Sequence, residues 1–252
     1  MPDKVLGVIP ARFQSSRFPG KALALLADKP IIQHVWERAQ CAATLSDVII
    51  ATDDAEIYNR ALGFGAQVEM TGANHLSGTD RVAEVAARHP SMDLVVNIQG
   101  DEPLIDPAAI DAATRALLES PALSMGTLAK RIERAEEITN PNVVKVVTAL
   151  SGEAIYFSRS PIPYARAEGA VYFKHIGLYV YRRDFLLAYP SLPVGPLEKI
   201  ECLEQLRALE NGHRIGVVET SYESLGVDTP EDLDEVSRLF AARALENVTA
   251  RS

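Results

Sequence analysis

Val5-Leu-Gly-Val-Ile-Pro-Ala-Arg12 is an apolar run that ends in a proline and a cation, and the chain continues into Arg17-Phe-Pro-Gly-Lys21. The run has the composition of a strand buried on both faces. The loop after it carries three cations, Arg12, Arg17 and Lys21. Guanidinium forks and a lysine ammonium bind phosphate oxygens, so the stretch favours a triphosphate-binding loop at the exit of a strand. It also fits a solvated surface loop.

Two common phosphate-binding patterns are absent from this stretch of sequence. It contains neither Gly-x-x-x-x-Gly-Lys-Ser/Thr nor the dinucleotide pattern Gly-x-Gly-x-x-Gly. Phosphate binding by this loop would therefore depend on the side chains of its three cations.

Composition limits the classes of protein that the chain can represent. Of its 252 residues, 47% are hydrophobic and 23% are charged, which is typical of a globular protein. The net charge of −9 argues against a nucleic-acid partner. Two cysteines, Cys41 and Cys202, do not make a disulfide framework. No stretch has the length of a membrane span, and the N-terminus lacks the pattern of a signal peptide, so we expect a cytoplasmic protein without a membrane partner.

Short apolar runs alternate with helical patterns in the first half of the chain. Buried strands are predicted at Val5–Ile9, Val48–Ala51 and Leu94–Ile98. Helices are predicted at Pro30–Ala43, Ala55–Leu62 and Arg81–Arg88, with a further one beginning at Asp106-Pro107. Such alternation predicts an α/β fold with a parallel sheet and right-handed crossovers.

The middle of the chain changes character. Further strands are predicted at Met125–Arg131, Val143–Ala149, Ala154–Ser158 and His175–Tyr181, and late helices at Leu197–Glu210 and Pro230–Ala244. We expect a single domain over residues 1–252, with a mixed-sheet lobe for substrate and dimer contacts embedded around residues 125–185.

Two aspartates are candidate metal ligands. Asp101 follows the apolar run Leu94–Ile98, and the carboxyl ends of strands form the ligand crevice of an open α/β sheet. A carboxylate there can hold Mg²⁺ together with substrate phosphates, although Asp-Glu-Pro also fits a simple turn. From spacing alone, Asp228 belongs to a helix cap formed with Thr229 and Pro230.

A series of motifs resembles the 3-deoxy-manno-octulosonate cytidylyltransferases, the enzymes that make CMP-Kdo. The motifs occur in the family's order and cover nearly the whole chain. They are Ile9-Pro-Ala-Arg-Phe-Gln-Ser-Ser-Arg-Phe-Pro-Gly-Lys21, Asn97-Ile-Gln-Gly-Asp-Glu-Pro103, Asn140-Pro-Asn-Val-Val-Lys-Val-Val147, Tyr156-Phe-Ser-Arg159, His175-Ile-Gly-Leu-Tyr179, Leu203-Glu-Gln-Leu-Arg207 and Gly226-Val-Asp-Thr-Pro-Glu-Asp232.

The resemblance implies a fold and an activity. The fold would be the three-layer, Rossmann-like one of the nucleotide-diphospho-sugar transferases. The enzyme would transfer CMP from CTP to the anomeric hydroxyl of 3-deoxy-D-manno-octulosonate (Kdo), releasing pyrophosphate, for lipopolysaccharide biosynthesis. Alternatives are a related sugar acid such as 8-amino-Kdo, a glycosyltransferase on the same core, or a nucleotide-binding protein without turnover.

The resemblance also implies roles for individual residues. Catalysis would use Arg12, Arg17, Lys21, Asp101 and Asp228, with Mg²⁺ as cofactor on Asp101 and Asp228. The nucleotide would contact Ala11, Arg12, Arg17, Lys21, Ser77, Gly78 and Asp101. The sugar acid would contact Gln99, Arg159, His175, Tyr179, Glu204 and Gln205, with Glu201 as a competing candidate. Burial alone would make His175 and Tyr179 packing residues. We further expect a homodimer formed through Pro161–Tyr181.

Overall fold

The computed structural model describes residues 3–14, 17–75 and 77–249, with side chains described as far as residue 242. The strands are β1 (Val5–Ala11), β2 (Leu25–Leu26), β3 (Lys29–Pro30), β4 (Asp47–Thr52), β5 (Gln67–Met70), β6 (Leu94–Asn97), β7 (Met125–Arg131), β8 (Lys145–Thr148), β9 (Ala154–Ser158), β10 (Phe173–Arg182) and β11 (Ile215–Glu219). The helices are α1 (Ile31–Ala39), α2 (Ala55–Gly63), α3 (Gly78–Arg88), α4 (Pro107–Glu119), α5 (Ala135–Thr139), α6 (Arg183–Ala188), α7 (Pro196–Glu201), α8 (Gln205–Glu210) and α9 (Pro230–Thr249).

The central sheet has the order β11-β7-β10-β6-β1-β4-β5. Strand β1 lies between β4 and β6 and is parallel to both. Strand β10 is antiparallel to its neighbours β6 and β7, whereas β11 is parallel to β7. The hairpin of β8 and β9 extends the sheet from β10. The sheet is therefore mostly parallel, with β10 as the reversed strand in its middle.

Helices cover both faces of this sheet. One face packs against α1, α4 and α9 through residues such as Val35, Ile110 and Val236. The other face packs against α3, α6 and α8 through residues such as Val85 and Leu206. Since each face buries its own apolar cluster, the molecule has the three layers expected of the predicted fold. In the part of the chain that the structure describes, no helix is long and apolar enough to cross a membrane.

Local sequence explains where several helices begin. Asp54 caps α2 by accepting hydrogen bonds from two backbone N–H groups of its first turn. Ser77 and Asp80 form a reciprocal capping box at the start of α3. Asp106 caps α4, whose first residue is Pro107, as the sequence predicts.

Some secondary-structure predictions were wrong. Leu197–Glu210 is two helices rather than one, because Cys202 adopts a left-handed backbone (φ +51°) between α7 and α8. Helix α6 and strands β5 and β11 were not predicted from the sequence. Strand β5 is short, and its exposed or half-buried residues give no apolar run.

The predicted mixed-sheet lobe is continuous with the central sheet. Its strands β7 and β10 lie inside that sheet, and β8 and β9 form the part that projects from it. Ile176, which we expected at a dimer surface, is only 3% exposed and belongs to the core. Phe173 is half-buried and packs against the core as well. Residues 163–171, by contrast, are exposed.

Candidate functional site

The carboxyl ends of β1 and β6 form the centre of a crevice. These strands are neighbours, so the loops that follow Ala11 and Asn97 meet above the sheet edge. The second loop approaches β1 closely at Gly100: a Cβ atom there would lie 2.7 Å from the carbonyl oxygen of Pro10. Glycine therefore allows the contact that brings Asp101 beside the cationic loop.

The cationic loop is closed by its own backbone. The N–H of Gly20 donates to the carbonyl of Phe13 over 2.8 Å, and Gly20 has a φ of +71° that favours glycine. This turn delivers Lys21 into the crevice. Its Nζ lies 2.5 Å from Oδ2 of Asp101 and 2.7 Å from Oδ1 of Asp228.

Arg17 joins the same cluster from its outer side. An NH2 group of Arg17 lies 2.8 Å from Oδ2 of Asp228. The Arg17 side chain is 64% exposed and that of Lys21 is 18% exposed, so Lys21 is the inner cation. Four of the five predicted catalytic side chains thus form one cluster, with Arg17, Asp101 and Asp228 around Lys21. The fifth, Arg12, lines the same part of the crevice.

The charges of this cluster stabilise one another. Burial by itself would lower the pKa of Lys21, but Asp101 and Asp228 outweigh it and raise the pKa above its ordinary value. Burial would raise the pKa of Asp228, but Lys21 and Arg17 hold it below its ordinary value. Lys21 is therefore a cation and Asp228 an anion at neutral pH.

Asp228 has a backbone role and a side-chain role. Thr229 and Asp232 form the cap of α9, and the N–H of Asp228 donates to the same Asp232 carboxylate over 2.9 Å. The N–H of Val227 donates to the carbonyl of Asp101 over 2.9 Å. The cap predicted from spacing is present, while the Asp228 carboxylate remains available to the crevice.

Glu102 anchors the turn that carries Asp101, a role that the sequence did not indicate. It is 7% exposed and accepts hydrogen bonds from the hydroxyls of Tyr222 (2.7 Å) and Ser224 (2.6 Å). Burial raises its pKa above the ordinary value, and the two hydroxyls partly oppose this shift. This contact ties the turn after β6 to the segment that leads to Asp228.

Two adjoining cavities occupy the crevice, and Pro10, Gly78 and Gln99 line both. The first, called here the cationic cavity, has a volume of about 390 Å³. Its walls contain the predicted nucleotide residues Ala11, Arg12, Arg17, Lys21, Gly78 and Asp101, together with Asp228 and the unpredicted Gln14 and Arg81. Ser77, the other predicted nucleotide residue, caps α3 beside Gly78.

The second, called here the polar cavity, has a volume of about 340 Å³. Five of the six predicted sugar residues line it: Gln99, His175, Tyr179, Glu204 and Gln205. It is also lined by Asn97, Thr79 and Gly177, which were not predicted. Asn97 carries a signal in the sequence, since it ends the apolar run of β6 at the crevice.

Hydrogen bonds orient the polar cavity's side chains. Gln99 donates to the carbonyl of Gly177 over 2.9 Å, and the hydroxyl of Tyr179 donates to Oε1 of Gln205 over 3.3 Å. Thr79 donates to Glu204 over 2.9 Å. Burial raises the pKa of Glu204 above its ordinary value, partly offset by the Thr79 hydrogen bond.

His175 is a neutral group in this cavity. Its Nε2 lies 2.9 Å from the hydroxyl of Thr127, and its ring packs edge-on against Phe157. Burial lowers the pKa of His175 to about 3. It can therefore exchange hydrogen bonds with a ligand without adding a charge.

Arg159 and Glu201 are not among the residues that line either cavity. The Arg159 guanidinium donates to the carbonyls of Glu201 (2.7 Å) and Pro141 (2.9 Å). The Glu201 carboxylate accepts from the N–H of Arg159 (2.9 Å) and the hydroxyl of Ser158 (2.6 Å). In this conformation both side chains join β9 to the end of α7, rather than facing the polar cavity.

Lys145 supports the same region from within the core. It is fully buried, and its Nζ donates to the carbonyls of Asn140, Val143 and Arg159 over 2.9, 2.6 and 2.6 Å. Burial lowers its pKa below the ordinary value. Lys145, which belongs to the Asn140–Val147 motif, is thus a structural cross-link.

The acidic pair has the donor chemistry for Mg²⁺. Among the described residues, no group of three or more His, Cys, Asp or Glu side chains could hold a metal ion by itself. Mg²⁺ is commonly held by one or two carboxylates together with substrate phosphates and water. Asp101 and Asp228 converge on one ammonium group, so their oxygens already bracket a position for a cation.

The fold and the two cavities fit a cytidylyltransferase, and the family model described as Cytidylyltransferase matches residues 6–215. Among relatives, a 3-deoxy-manno-octulosonate cytidylyltransferase from Solibacter usitatus is 66% identical over 250 residues, which cover 98% of this chain and 99% of the relative. One from Geobacter sulfurreducens is 55% identical over 92% of this chain and 97% of its own length. The chain belongs to the 3-deoxy-manno-octulosonate cytidylyltransferase family.

A solved structure agrees with this assignment. The CMP:2-keto-3-deoxy-manno-octonic acid synthetase solved in complex with CTP superposes with a TM-score of 0.93 and is 45% identical. The match covers 96% of this chain and all of that one. A cytidylyltransferase from Leptospira borgpetersenii, 20% identical with a TM-score of 0.61, shares the fold.

Proposed function

We propose that this protein transfers CMP from CTP to the anomeric 2-hydroxyl of Kdo, giving CMP-Kdo and pyrophosphate. The observation that carries the proposal is the junction of the two cavities. A cationic cavity suited to a triphosphate meets a neutral-to-acidic cavity suited to a polyhydroxylated sugar, and Gln99 lines both. The names of the relatives and of the CTP complex support the choice of substrates.

In the proposed reaction the anomeric oxygen attacks the α-phosphorus in line. The O–H bond of the sugar hydroxyl breaks and its proton passes to water as a new P–O bond forms to the sugar. The bond between the α-phosphorus and the oxygen bridging to the β-phosphate breaks, so that pyrophosphate leaves. Arg12, Arg17 and Lys21 bind the phosphate oxygens and stabilise the charge of the leaving group. The polar cavity holds the sugar hydroxyl at the junction, so that the nucleophile is already positioned and oriented toward the α-phosphorus.

We include Mg²⁺ as a cofactor, with Asp101 and Asp228 as the residues that would hold it. Bound there, the ion would neutralise phosphate charge and make the attacking hydroxyl more acidic. Lys21 keeps the two carboxylates together in the free protein and can turn its ammonium group to the triphosphate when the substrate binds. The proposal further includes a homodimer, action in the cytoplasm and a role in lipopolysaccharide biosynthesis.

The test is a turnover panel. CTP, ATP, GTP and UTP are each paired with Kdo, 8-amino-Kdo and sialic acid, and pyrophosphate release is measured together with the mass of the product. We expect CMP-Kdo from CTP and Kdo, and a dependence on added Mg²⁺ that EDTA removes. A faster reaction with 8-amino-Kdo than with Kdo would make 8-amino-Kdo the substrate. If no pair releases pyrophosphate, the protein would be a nucleotide-binding protein without turnover.

A further inference from the structure

The chain between β11 and α9 brings Asp228 to the crevice. Residues 220–228, called here the connecting segment, lie within the described part of the chain and form neither a helix nor a strand. At the end of this segment, the Asp228 carboxylate meets Lys21 and faces Asp101, which follow other strands of the sheet. A segment without a regular hydrogen-bond ladder keeps its position through side-chain contacts and a few backbone contacts. The contacts of the connecting segment therefore decide where the Asp228 carboxylate lies.

One set of contacts joins the connecting segment to the turn that carries Asp101. The hydroxyls of Tyr222 and Ser224 donate to the two carboxylate oxygens of Glu102, over 2.7 and 2.6 Å. Glu102 and Tyr222 are each only 7% exposed. The N–H of Val227 adds a backbone hydrogen bond of 2.9 Å to the carbonyl of Asp101. Hydrogen bonds to a buried carboxylate are strong and costly to lose, so they hold the two acidic segments together.

A second set of contacts joins the connecting segment to the central sheet. Glu223, which lies between the two hydroxyl residues, pairs with the ammonium groups of Lys130 on β7 and Lys174 on β10. Lys174 is only 8% exposed and also pairs with the buried Glu137 over 2.9 Å. Ion pairs that are shielded from water and linked in a network constrain geometry more than isolated surface pairs. The connecting segment is thus fixed both to the Asp101 turn and to two strands of the sheet.

We propose that Glu102 and Glu223 are positioning residues that fix the Asp228 carboxylate relative to Asp101, and that the affinity for Mg²⁺ depends on this arrangement. The inference rests on the proposed use of Mg²⁺ with CTP. Mg²⁺ demands near-ideal octahedral geometry with oxygen ligands at about 2.0–2.1 Å, so a small displacement of one carboxylate weakens its binding. Neither glutamate is among the described residues that line the cationic cavity, so both act through the aspartates.

The experiment measures the binding of α,β-methylene-CTP, in which a CH₂ group replaces the bridging oxygen whose bond would break. Calorimetry gives its dissociation constant with Mg²⁺ and with EDTA, and the ratio of the two constants measures the contribution of the metal ion. The variants are Glu223→Gln, which loses the ion pairs, and the double variant Tyr222→Phe with Ser224→Ala, which deprives Glu102 of its donors. Glu153→Gln is the control, because it weakens an ion pair with Arg214 and neither residue lines either cavity. Thermal unfolding shows which variants are folded.

We expect Mg²⁺ to tighten binding about tenfold or more in the wild type and in the control, since groups that orient metal ligands change metal affinity by this order. In Glu223→Gln and in the double variant the ratio should fall toward one, while the dissociation constant in EDTA stays at the wild-type value. Tyr222→Phe alone keeps one donor to Glu102, so it should show a smaller loss. This single variant replaces the double variant if the latter does not fold.

Two kinds of result would overturn the inference. The first is a ratio that stays unchanged in either folded variant, or that is already one in the wild type. The second is an equal weakening of binding in Mg²⁺ and in EDTA, which would mean that the glutamates support the cavity as a whole. CMP-Kdo formation by the wild type is measured separately from the mass of the product, so failure of the proposed function is distinguishable from failure of this inference.

Discussion

Lys21 and Asp101 lie on loops that follow two neighbouring strands, and Nζ of the lysine is 2.5 Å from Oδ2 of the aspartate. Asp228, at the start of α9, completes the cluster. In the free protein, Lys21, which is proposed to bind phosphate, is thus held by the carboxylates that are proposed to hold Mg²⁺. On substrate binding, the phosphates would take the place of the carboxylates as anionic partners of Lys21. The metal ion would take the place of Lys21 as the cationic partner of the carboxylates.

Asp101→Asn and Asp228→Asn should each lower turnover by roughly a hundredfold or more, because each removes a carboxylate from the proposed metal position. The fold should survive, because the remaining aspartate still pairs with Lys21. Turnover is measured across a series of Mg²⁺ concentrations, with thermal unfolding alongside. Asp184→Asn, at an almost fully exposed side chain, is the control. Near-native turnover of Asp101→Asn or Asp228→Asn at limiting Mg²⁺ would show that the substituted aspartate is not a Mg²⁺ ligand.

Lys21→Ala should raise KM for CTP by about tenfold or more, because a charge-assisted hydrogen bond to phosphate is lost. His175→Ala should instead raise KM for Kdo, because His175 lines the polar cavity and not the cationic cavity. Steady-state kinetics with each substrate varied in turn separate the two effects. Lys29→Ala, whose ammonium pairs with Glu37 on the surface, should change neither constant. Equal effects on both substrates in both variants would mean that the half-sites are wrongly assigned.

The low pKa of His175 predicts how stability changes with pH. Burial lowers the pKa from 6.5 to about 3, so the unfolded state binds a proton that the folded state does not between those values. The contribution of neutral His175 to stability is therefore complete above pH 6.5 and is lost as the pH falls toward 3. Urea unfolding at a series of pH values should show a smaller acid-induced loss in His175→Gln than in the wild type. Parallel losses would mean that His175 is solvated in the folded state.

The proposed homodimer should depend on the exposed segment that precedes β10. Tyr164 is 89% exposed and Val171 is 40% exposed. Tyr172 follows Val171 in the chain and is half-buried. Aromatic residues are enriched at interface cores, so Tyr172→Glu should split the dimer by placing a charge there. Leu62→Glu, on the exposed side of α2, should leave it intact. Light scattering at micromolar concentration measures the molar mass of each protein. A monomeric wild type would refute the dimer, and a dimeric Tyr172→Glu would show that the interface lies elsewhere.

The apolar runs are sufficient to predict the centre of the sheet. Strands β1, β4 and β6 were predicted because a strand buried on both faces needs a continuous apolar run, which each has. The break at Cys202 was missed because a left-handed backbone at a residue other than glycine leaves no mark in the apolar pattern. The position of β7 and β10 inside the main sheet was missed because pairing partners are long-range.

By itself, the sequence determined the family, the cationic loop, the acidic pair and five of the side chains that line the polar cavity, since these are carried by local motifs. Tertiary structure alone decided which of these residues meet. It placed Arg159 against backbone carbonyls, gave Lys145 a structural role and brought Arg81 into the lining of the cationic cavity. The physical reason is that a motif fixes the kind of side chain at a position. Its direction, burial and partners depend on chain segments far away in sequence, which only the packed sheet and its helices bring together.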